Sequence, residues 1–440
     1  MKYLPKQILV YTLPLMAALS ANAANFIGPD GGLWSDGANW DTGSVPAASE
    51  EARHSIAENR SIDIDGDYTI RSLLDGFADG GLTLGGTGTL TVDVASAAET
   101  KGLDNATGNA GNFLQVNGNI EVNNSGAGRT IIRNSNSASN VFRFNPGSNL
   151  ILTTGLTTRG NIGFIEFNGK VSGGPLFIGS NNPTFNEGHD STELNSVVFF
   201  NGGVLKINGG TVLAPAGKFQ VNGTNTKLEL NGANSVNGAF FSIAGSNDLL
   251  VDINSDQEDL GGFVMTTGSL SFDVDPAVTK VNFASSFFRE WGTGTVTITG
   301  FKENTIRFGV NGAGLTSEQL SAINGGIYSL SPDGYLTEAA FEYWARFEVD
   351  AEGWVSLSPW IDENAYVNTA PFIGIENIGW TYMDEAVGVR GRGWIYFYDL
   401  EALDISVVDG TDYGYSSTLE NWVYLPFDIS GETASWLFLF

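Results

Sequence analysis

Residues 113–300 repeat one short pattern, and this repetition constrains the fold more than any other feature of the chain. Short runs of alternating apolar and polar residues each end at an Asn-Gly pair, as they do at residues 113–116, 164–167, 197–200, 204–207, 219–221 and 228–230. Alternation is typical of a half-buried β-strand, and Asn-Gly is typical of a tight turn because both residues accept positive φ. The sequence therefore predicts a succession of very short strands, with no competing helical period.

Strands this short are stable only when they stack on one another. A single turn of chain cannot bury its apolar face alone, so neighbouring turns must cover it. Asparagine side chains at the bends can hydrogen-bond to each other along the stack, and glycine supplies left-handed corners. We predict an all-β protein, a right-handed parallel β-helix or solenoid, whose repeats and closing unit occupy residues 76–336 and which carries a small aromatic-rich C-terminal β module.

A distinct module precedes the repeats. Residues 24–75 begin with Trp34 and Trp40, which stand among Asn, Gly and Pro residues and indicate a compact, turn-rich plug. Residues 61–70 then alternate isoleucine with aspartate, which predicts a half-buried strand, a tight turn and a second strand. We interpret residues 24–75 as an N-terminal capping module, with residues 61–70 as the first rung of the stack.

The repeats end with the strongest short helical signal of the chain, at residues 316–323. Thr316 is followed three positions later by Gln319, which is the spacing of a capping box. Leu320 and Ile323 share one face of the predicted helix. We interpret this segment as part of the unit that closes the solenoid.

Residues 1–23 have the composition of an export signal. Lys2 and Lys6 precede an apolar run at 8–19, and residues 21–23 form an A-x-A cleavage site. The apolar run is too short for a membrane span, since a spanning helix needs about 20 residues. We expect an exported protein with no transmembrane helix in its mature chain, located outside the cell or on the outer surface of a bacterium.

The charge and cysteine content exclude several classes of partner. The chain has 21 Lys and Arg residues against 49 Asp and Glu residues, a net charge of −28. A nucleic-acid binder needs cations that neutralise phosphates, so we expect no nucleic-acid partner. Because there is no cysteine, the core and the hydrogen-bond ladders must hold the fold in place of disulfides. We expect no cofactor, apart from calcium ions that an acidic surface can hold.

Both ends of the predicted solenoid resemble one group of exported proteins. Residues 32–46 read G-x-W-S-D-x-x-N-W-x-x-G-x-V-P, which resembles the N-terminal unit of large secreted bacterial proteins with autotransporter-associated β-strand repeats. Residues 291–336 contain W-G-T-G-T-V-T-I-T-G, I-R-F-G, G-L-T-S-E-Q-L-S-A-I and D-G-Y-L, which resemble the unit that closes the passenger region of those proteins. Such proteins are common in Verrucomicrobia. The resemblance implies an exported solenoid and supplies no catalytic residue.

Residues 337–440 differ abruptly in composition and form our predicted Trp-rich, acidic β module. Seven of the ten Trp residues lie here, namely Trp344, Trp354, Trp360, Trp380, Trp394, Trp422 and Trp436. The last four are separated by 14, 28 and 14 residues, a degenerate repeat that fits one short strand with its connection. Comparable Trp-rich tails occur at the ends of related verrucomicrobial secreted proteins.

The aromatic repeats contain our candidate ligand-binding residues, which are Trp380, Trp394, Tyr396, Trp422, Tyr424 and Trp436. Alternation places Trp394, Tyr396 and Tyr398 on one face of a strand. A flat row of aromatic rings offers apolar contact to the C–H groups of sugars, so this face can bind a polysaccharide.

Two other interpretations of the aromatic repeats stay open. The rings can instead form the core of a small β domain. Alternatively, Trp436, Phe438 and Phe440 alternate up to the last residue, which resembles the insertion signal of outer-membrane proteins. That pattern would make the chain an outer-membrane-anchored, autotransporter-like passenger.

No catalytic set is evident in the sequence. His54 and His189 are the two histidines and lie in different segments, so they do not form a Ser-His-Asp or Cys-His set. A calcium loop is suggested by Asp63, Asp65 and Asp67, but the glycine that follows Asp65 comes too early for an EF-hand. We favour a solvated strand edge for these aspartates.

Two further charged sets are also assigned to the solvated surface. The first is an acidic cluster, interpreted as a loop rather than a calcium site, that contains Asp252, Asp256, Glu258 and Asp259. The second consists of Lys206, Lys218 and Lys227, which occupy alternating outward strand positions. A calcium-dependent polysaccharide lyase-like β-helix enzyme would need such a base beside calcium-binding carboxylates, and it is the catalytic alternative.

These observations predict a non-catalytic, adhesin-like protein that is exported and attaches to cells or to the extracellular matrix. Glycan binding or self-association would be the means of attachment. The expected partner is a cell-envelope or extracellular polysaccharide.

Overall fold

The computed structural model describes residues 23–338, apart from residues 77–79, 106–111, 135–138, 160–162, 180–181, 201, 216 and 327, and short strands between residues 355 and 439. The predicted export signal therefore lies outside the described residues, except for Ala23. The chain divides into two compact units, residues 1–278 and 279–440. No helix in the described part of the chain is long and apolar enough to cross a membrane.

The first unit is a parallel β-helix, which confirms the predicted fold class. Successive turns of the chain add strands to three parallel ladders, here named faces A, B and C. Face A consists of Gly32–Leu33, Arg60–Asp63, Leu82–Gly85, Phe113–Val116, Val141–Phe144, Phe164–Phe167, Pro183–Phe185, Val204–Ile207, Thr226–Leu230, Asp248–Ile253 and Ser269–Val274.

Faces B and C complete each turn. Face B consists of Tyr68–Ile70, Thr89–Asp93, Asn119–Asn123 and Asn149–Leu152, and it is extended by single bridges at Ser191, Val212 and Val236. Face C consists of Ala23–Asn25, Glu51–His54, Ser72–Asp75, Thr100–Asn105, Thr130–Asn134, Leu156–Arg159, Lys218–Val221, Phe240–Ile243 and Phe263–Met265. The long strands Lys170–Ile178 and Asp190–Phe199 run across both faces, and Gln257–Leu260 is a further strand of this unit.

Alternation within each strand decides which side chains enter the core. In strand Phe164–Phe167, Phe167 is fully buried whereas Phe164 is 51% exposed. Because parallel ladders keep the same register from turn to turn, inward positions stack directly on each other. Phe167 thus lies between Phe144 and Phe185, with ring centroids 5.5 and 4.8 Å away. A second stack further along the core contains Phe199, Phe219 and Phe241.

The predicted asparagine ladder is confirmed at the bend that follows face A. The series begins with Asn168 as an acceptor, and each later Nδ2 donates to the Oδ1 of the asparagine on the preceding turn at 2.8 to 2.9 Å, namely those of Asn186, Asn208, Asn231 and Asn254. Asn145 donates to Asn117 in the same way at 2.7 Å. These bonds tie consecutive turns together outside the backbone ladders.

Glycine has a different role at these bends from the one predicted. Gly169 and Gly232 follow ladder asparagines, and neither has a positive φ. A Cβ on Gly232 would lie 2.5 Å from the Cα of Gly209 on the neighbouring turn, and a Cβ on Gly169 would lie 2.5 Å from the carbonyl oxygen of Ser148. The expectation of left-handed corners was therefore wrong at these positions. Glycine is required there because the backbones of stacked turns approach too closely for any side chain.

The N-terminal module is the predicted plug. Trp34 and Trp40 are buried, their ring centroids are 4.8 Å apart, and Trp40 Nε1 donates to the Trp34 carbonyl at 3.0 Å. Between them lies a short 3-10 helix, Gly37–Asn39, whose first turn is capped by Asp36.

The stack begins earlier in the chain than predicted. Ala23–Asn25 already pairs with Glu51–His54, and Gly32–Leu33 already pairs with Arg60–Asp63. The assignment of residues 61–70 as the first rung was therefore wrong. These first strands have three and two residues, which is too short for an alternating pattern to be recognised.

The second unit begins with short strands and one helix. Val281–Phe283 pairs in parallel with Ile306–Phe308, and Tyr328–Leu330 pairs antiparallel with Leu336–Glu338. Thr295–Thr299 is a further strand. The rest of the unit is a nine-stranded antiparallel sheet with the order Val355–Ser356, Ala365–Val367, Phe372–Ile375, Gly379–Met383, Gly393–Phe397, Ser435–Leu439, Asn421–Tyr424, Tyr413–Ser416 and Ile405–Val407.

The predicted helix and its capping box are confirmed. The helix Ser317–Ser321 is capped by Thr316, whose side chain accepts from the Gln319 backbone N–H, while the Gln319 side chain accepts from the Thr316 N–H. The Gln319 amide nitrogen also donates to the carbonyls of Ser286 and Arg289 at 2.7 and 2.8 Å. Gln319 thus attaches the helix to the preceding loop as well.

Candidate functional site

The predicted ligand-binding residues all lie on strands of the nine-stranded sheet. Trp380 lies on Gly379–Met383, Trp394 and Tyr396 on Gly393–Phe397, Trp422 and Tyr424 on Asn421–Tyr424, and Trp436 on Ser435–Leu439. Tyr398 and Phe440, which the sequence analysis also named, lie outside the described residues.

The register of the sheet aligns these positions in rows. Directly paired positions of an antiparallel sheet lie on the same face. Tyr396 pairs with Tyr382 on one side and with Trp436 on the other, which makes one row of three aromatic positions. Trp380 lies two positions before Tyr382 and therefore on the same face.

A second row runs beside the first. Phe438 pairs with Trp394 on one side and with Tyr424 on the other. Trp422, two positions before Tyr424, pairs with Tyr415. By pairing and by alternation, all six predicted residues occupy positions on one face of the sheet.

The intervening positions have a different composition. They alternate with the aromatic positions along the same strands and so fall on the opposite face. They are mostly aliphatic and include Ile373, Ile395, Val423, Leu437 and Leu439. The two faces of this sheet therefore differ in composition: the first carries most of the aromatic positions, and the second is mostly aliphatic, with Phe397 as an aromatic exception.

Two of the lysines considered for the lyase alternative lie on face A in a ladder of ion pairs. Lys206 Nζ is 2.8 Å from Glu229, and Lys227 Nζ is 2.6 Å from Asp252 and 3.2 Å from Glu229. The hydrogen bond with Asp252 raises the pKa of Lys227, and Glu229 adds to the effect. A lysine that acts as a general base needs a lowered pKa, so this ladder stabilises the wrong protonation state for lyase chemistry.

Lys218 is separate from that ladder, since it begins the face C strand Lys218–Val221. The sequence pattern identified its outward position correctly, and the side chain is partly exposed. Because it lies on a different face, it cannot join Lys206 and Lys227 in one site.

The aspartates of the first suggested calcium loop bind backbone and hydroxyl groups. Asp65 accepts from the Ser35 N–H at 3.1 Å and from the Ser35 hydroxyl at 2.5 Å, and Asp67 accepts from the Thr89 N–H at 2.9 Å. The hydrogen bond from the Ser35 hydroxyl holds the pKa of Asp65 below its usual range. These carboxylates fasten neighbouring turns of the stack.

The second acidic cluster is distributed over two strands. Asp252 lies on face A and binds Lys227, while Glu258 lies on Gln257–Leu260, where its backbone N–H donates to Asn234 Oδ1 at 2.8 Å. Among the residues that the structure describes, no group of three or more His, Cys, Asp or Glu side chains is arranged to hold a metal ion.

A buried pair of titratable groups was missed by the sequence analysis. His54 Nδ1 lies 2.9 Å from Asp75 Oδ1, and both side chains are 1% exposed. The two residues end neighbouring strands of face C and are in register. Burial raises the pKa of Asp75, against the opposing effect of the hydrogen bond with His54. Both side chains are thus enclosed by the described core of face C.

The pair continues as a column of inward polar residues. Asn105 and Asn134 occupy the same register position as Asp75 on the next two turns, and both are fully buried. Their amide nitrogens donate to the carbonyls of Val141 and Phe164, respectively. The sequence does contain a signal for this column. Each of these polar residues follows a buried apolar residue by two positions, so it falls on the inward side of its strand.

His189 is buried in a different environment. Its Nδ1 lies 3.1 Å from the Ser191 hydroxyl, and its ring centroid is 5.0 Å from that of Phe185 in the core stack. Burial lowers the pKa of His189, so the folded protein favours the neutral imidazole. The two histidines therefore lie in separate parts of the core.

No protein family, no curated protein and no solved structure matches this chain.

Proposed function

We propose that this chain is an exported, non-catalytic attachment protein that binds a cell-envelope or extracellular polysaccharide through the aromatic face of its C-terminal sheet. The solenoid serves as the scaffold. The observation that carries the proposal is the register of the sheet, which aligns Tyr382, Tyr396 and Trp436 beside Trp394, Phe438 and Tyr424. Adjacent aromatic rows suit a polymer of sugar rings, because successive rings of the polymer can contact successive rings of the protein.

The difference between the two faces of the sheet supports this assignment. A sheet usually packs one face on a core and leaves the other available. Aliphatic positions such as Ile395 and Val423 suit the packed face. The aromatic positions beside them, Trp394 and Trp422, are then left for a ligand, because aromatic residues combine a large apolar surface with a polar edge.

The non-catalytic part of the proposal has its own support. The pKa of Lys227 is raised by Asp252, which disfavours a general base on face A. His54 and Asp75 form the one His-carboxylate ion pair recorded in the described part of the chain, and it is buried. Steady release of unsaturated products from pectate or alginate, with or without calcium, would overturn this part and favour the lyase alternative.

The binding test uses substitutions in the full chain. A truncation at residue 337 would cut the strand Leu336–Glu338, which pairs with Tyr328–Leu330. The test variant is therefore Trp394→Ala with Trp422→Ala. Its matched control is Ile395→Ala with Val423→Ala, which changes the adjacent positions on the opposite face.

The two variants should behave in opposite ways. We expect the tryptophan variant to lose retention on producing cells or on their insoluble glycan while its melting temperature stays unchanged. The aliphatic variant should melt earlier and, while folded, should be retained. If the rings are core instead, the tryptophan variant unfolds the sheet at a cost of about 3–5 kcal/mol for each buried ring.

Three outcomes would contradict the proposal or revise its means. Full retention of the folded tryptophan variant would exclude this face as the attachment site. Equal loss in Phe288→Ala, which removes an aromatic ring that is 95% exposed elsewhere in the second unit, would indicate nonspecific adsorption. A change of oligomeric state on sedimentation, with glycan binding intact, would make self-association the means of attachment.

A further inference from the structure

Face C carries an outward cluster of cations and aromatic rings, here named the Arg-Phe cluster and formed by Glu99, Arg129, Arg159, Phe177 and Phe200. Glu99 lies 2.7 Å from Arg159 and 3.9 Å from Arg129. The guanidinium carbon of Arg129 lies 4.7 Å from the ring centroid of Phe177 and 4.8 Å from that of Phe200. The two rings are stacked, with centroids 5.6 Å apart and planes inclined by 10°.

A glycine in the adjacent turn makes room for this arrangement. Gly155 is the register neighbour of Arg129, since the Thr130 N–H donates to the Gly155 carbonyl. A Cβ on Gly155 would collide with Cε2 of Phe177 and would lie 3.1 Å from its Cδ2. The Phe177 ring therefore occupies the space that a side chain at residue 155 would fill, and this brings it under the Arg129 guanidinium.

A second group of charges extends the cluster along the same face. Arg133 binds Asp104 through two hydrogen bonds, from Nε at 2.7 Å and from a terminal nitrogen at 2.6 Å. Lys101 Nζ lies 3.6 Å from the same carboxylate. Arg133 and Arg159 are direct register neighbours on adjacent turns. Four cations thus share two carboxylates over three turns of one face.

The carboxylates lie beneath the cations. The side chains of Glu99 and Asp104 are 17% and 7% exposed, whereas those of Arg159 and Lys101 are 54% and 50% exposed. Solvent therefore meets cationic groups here, although the chain as a whole carries a charge of −28. Acidic residues further away are largely screened, since the Debye length is about 8 Å at physiological ionic strength.

We propose that the Arg-Phe cluster is a binding site for an acidic polysaccharide built from uronic acid units. Guanidinium groups bind carboxylates through two parallel hydrogen bonds, and the Arg159 side chain is exposed enough to offer such a contact. The exposed parts of Phe177 and Phe200 provide apolar contact for the C–H groups of the sugar. This site lies in the first unit and is independent of the aromatic face in the second unit.

The experiment measures the binding of a defined oligogalacturonate to the full mature chain by calorimetry. The methyl ester of the same oligogalacturonate, which has the same sugar backbone without the charges, is measured in parallel. The test variant is Arg159→Gln. The matched control is Arg143→Gln, because Arg143 is also an outward arginine in an ion pair, at 2.6 Å from Glu166, but lies on face A. A second test variant, Phe177→Leu, removes the aromatic contact alone.

We expect Arg159→Gln to weaken oligogalacturonate binding about tenfold, as loss of a charge-assisted contact implies. Arg143→Gln should change the affinity less than about twofold, since a distant exposed charge is screened. The methyl ester should bind poorly to every form, and Phe177→Leu should weaken binding at an unchanged melting temperature. Equal losses in both arginine variants, equal binding of the ester, or no binding by the unaltered chain would each overturn the proposal.

One further variant separates this site from the attachment function. Trp394→Ala with Trp422→Ala should keep its affinity for oligogalacturonate even if it is no longer retained on cells. Loss of oligogalacturonate binding in that variant would locate the polymer on the C-terminal sheet and refute the site on face C.

Discussion

Strand Phe164–Phe167 offers a direct test of how the solenoid is stabilised, because it contains two phenylalanines on opposite sides. Phe167 points into the core and is fully buried, while Phe164 points outward and is 51% exposed. Replacing each in turn by alanine removes the same atoms from the same strand. Only the environment of the removed ring differs between the two variants.

The expected effects differ severalfold. A buried Phe→Ala change costs about 3–5 kcal/mol, including the energy of the cavity that remains. Phe167 lies between two other rings, and the Asn168 and Asn186 N–H groups hold the adjacent turns to the carbonyls of Phe144 and Phe167. The cavity therefore cannot collapse, and we expect a value near the upper end. Loss of the half-exposed Phe164 ring should cost about 1 kcal/mol.

The assay must report on individual turns. Each turn of a solenoid contacts only its neighbours, so destabilisation appears as local opening before global unfolding. Hydrogen exchange of Val141–Phe144 and Pro183–Phe185, the strands on either side, should accelerate strongly in Phe167→Ala and only slightly in Phe164→Ala. The midpoint of urea unfolding should fall in the same order.

Equal acceleration in the two variants would refute the reasoning. It would mean that backbone and asparagine ladders, and not the aromatic stack, determine the stability of these turns. A larger effect from Phe164→Ala would instead require that the outward ring is covered in solution.

Two further predictions concern the ladder and the second histidine. Asn208→Ala removes two ladder hydrogen bonds, and it should lower the free energy of unfolding in urea by about 1–2 kcal/mol. Asn254→Ala removes one and should cost about 0.5–1 kcal/mol. Equal costs would count against additive contributions from the ladder bonds. For His189, burial lowers the pKa in the folded protein, so the unfolded chain binds the proton more readily. The stability associated with the neutral imidazole is therefore fully present above about pH 6.5 and is lost as the pH falls below that value. His189→Gln should therefore reduce the fall in urea midpoint between about pH 7 and pH 5; an unchanged fall would assign it to other groups.

Much of the solenoid was predictable because its determinants are local. Alternation in residues 204–207 and 228–230 identified strands, and Asn208 and Asn231 identified the ladder positions. The capping box of Thr316 and Gln319 was predictable for the same reason, since it depends on residues three positions apart.

Other features depend on contacts between turns, which a single segment does not reveal. The need for glycine at residue 232 arises from the Cα of Gly209 on the neighbouring turn. The pairing of His54 with Asp75 requires knowledge of the register between two strands separated by a loop. Irregular turn lengths prevented that register from being derived.

The candidate site shows the same division. Alternation predicted a strand that carries Trp394 and Tyr396, and both positions lie on Gly393–Phe397. It could not predict that Ser435–Leu439 lies between Gly393–Phe397 and Asn421–Tyr424, because that order joins distant segments of the chain. This insertion is what places Trp436 opposite Tyr396.

The asparagine ladder has a consequence for how such a protein can change its length. Asn208 and Asn231 mark equivalent points on consecutive turns, and each bond of the ladder joins only adjacent turns. Removing or duplicating the segment between two such points leaves every remaining turn with a neighbour of the same kind. The first unit is therefore modular in its contacts, and duplication or deletion of one such segment would lengthen or shorten it by about 4.8 Å, the spacing of neighbouring strands, without redesign of its core.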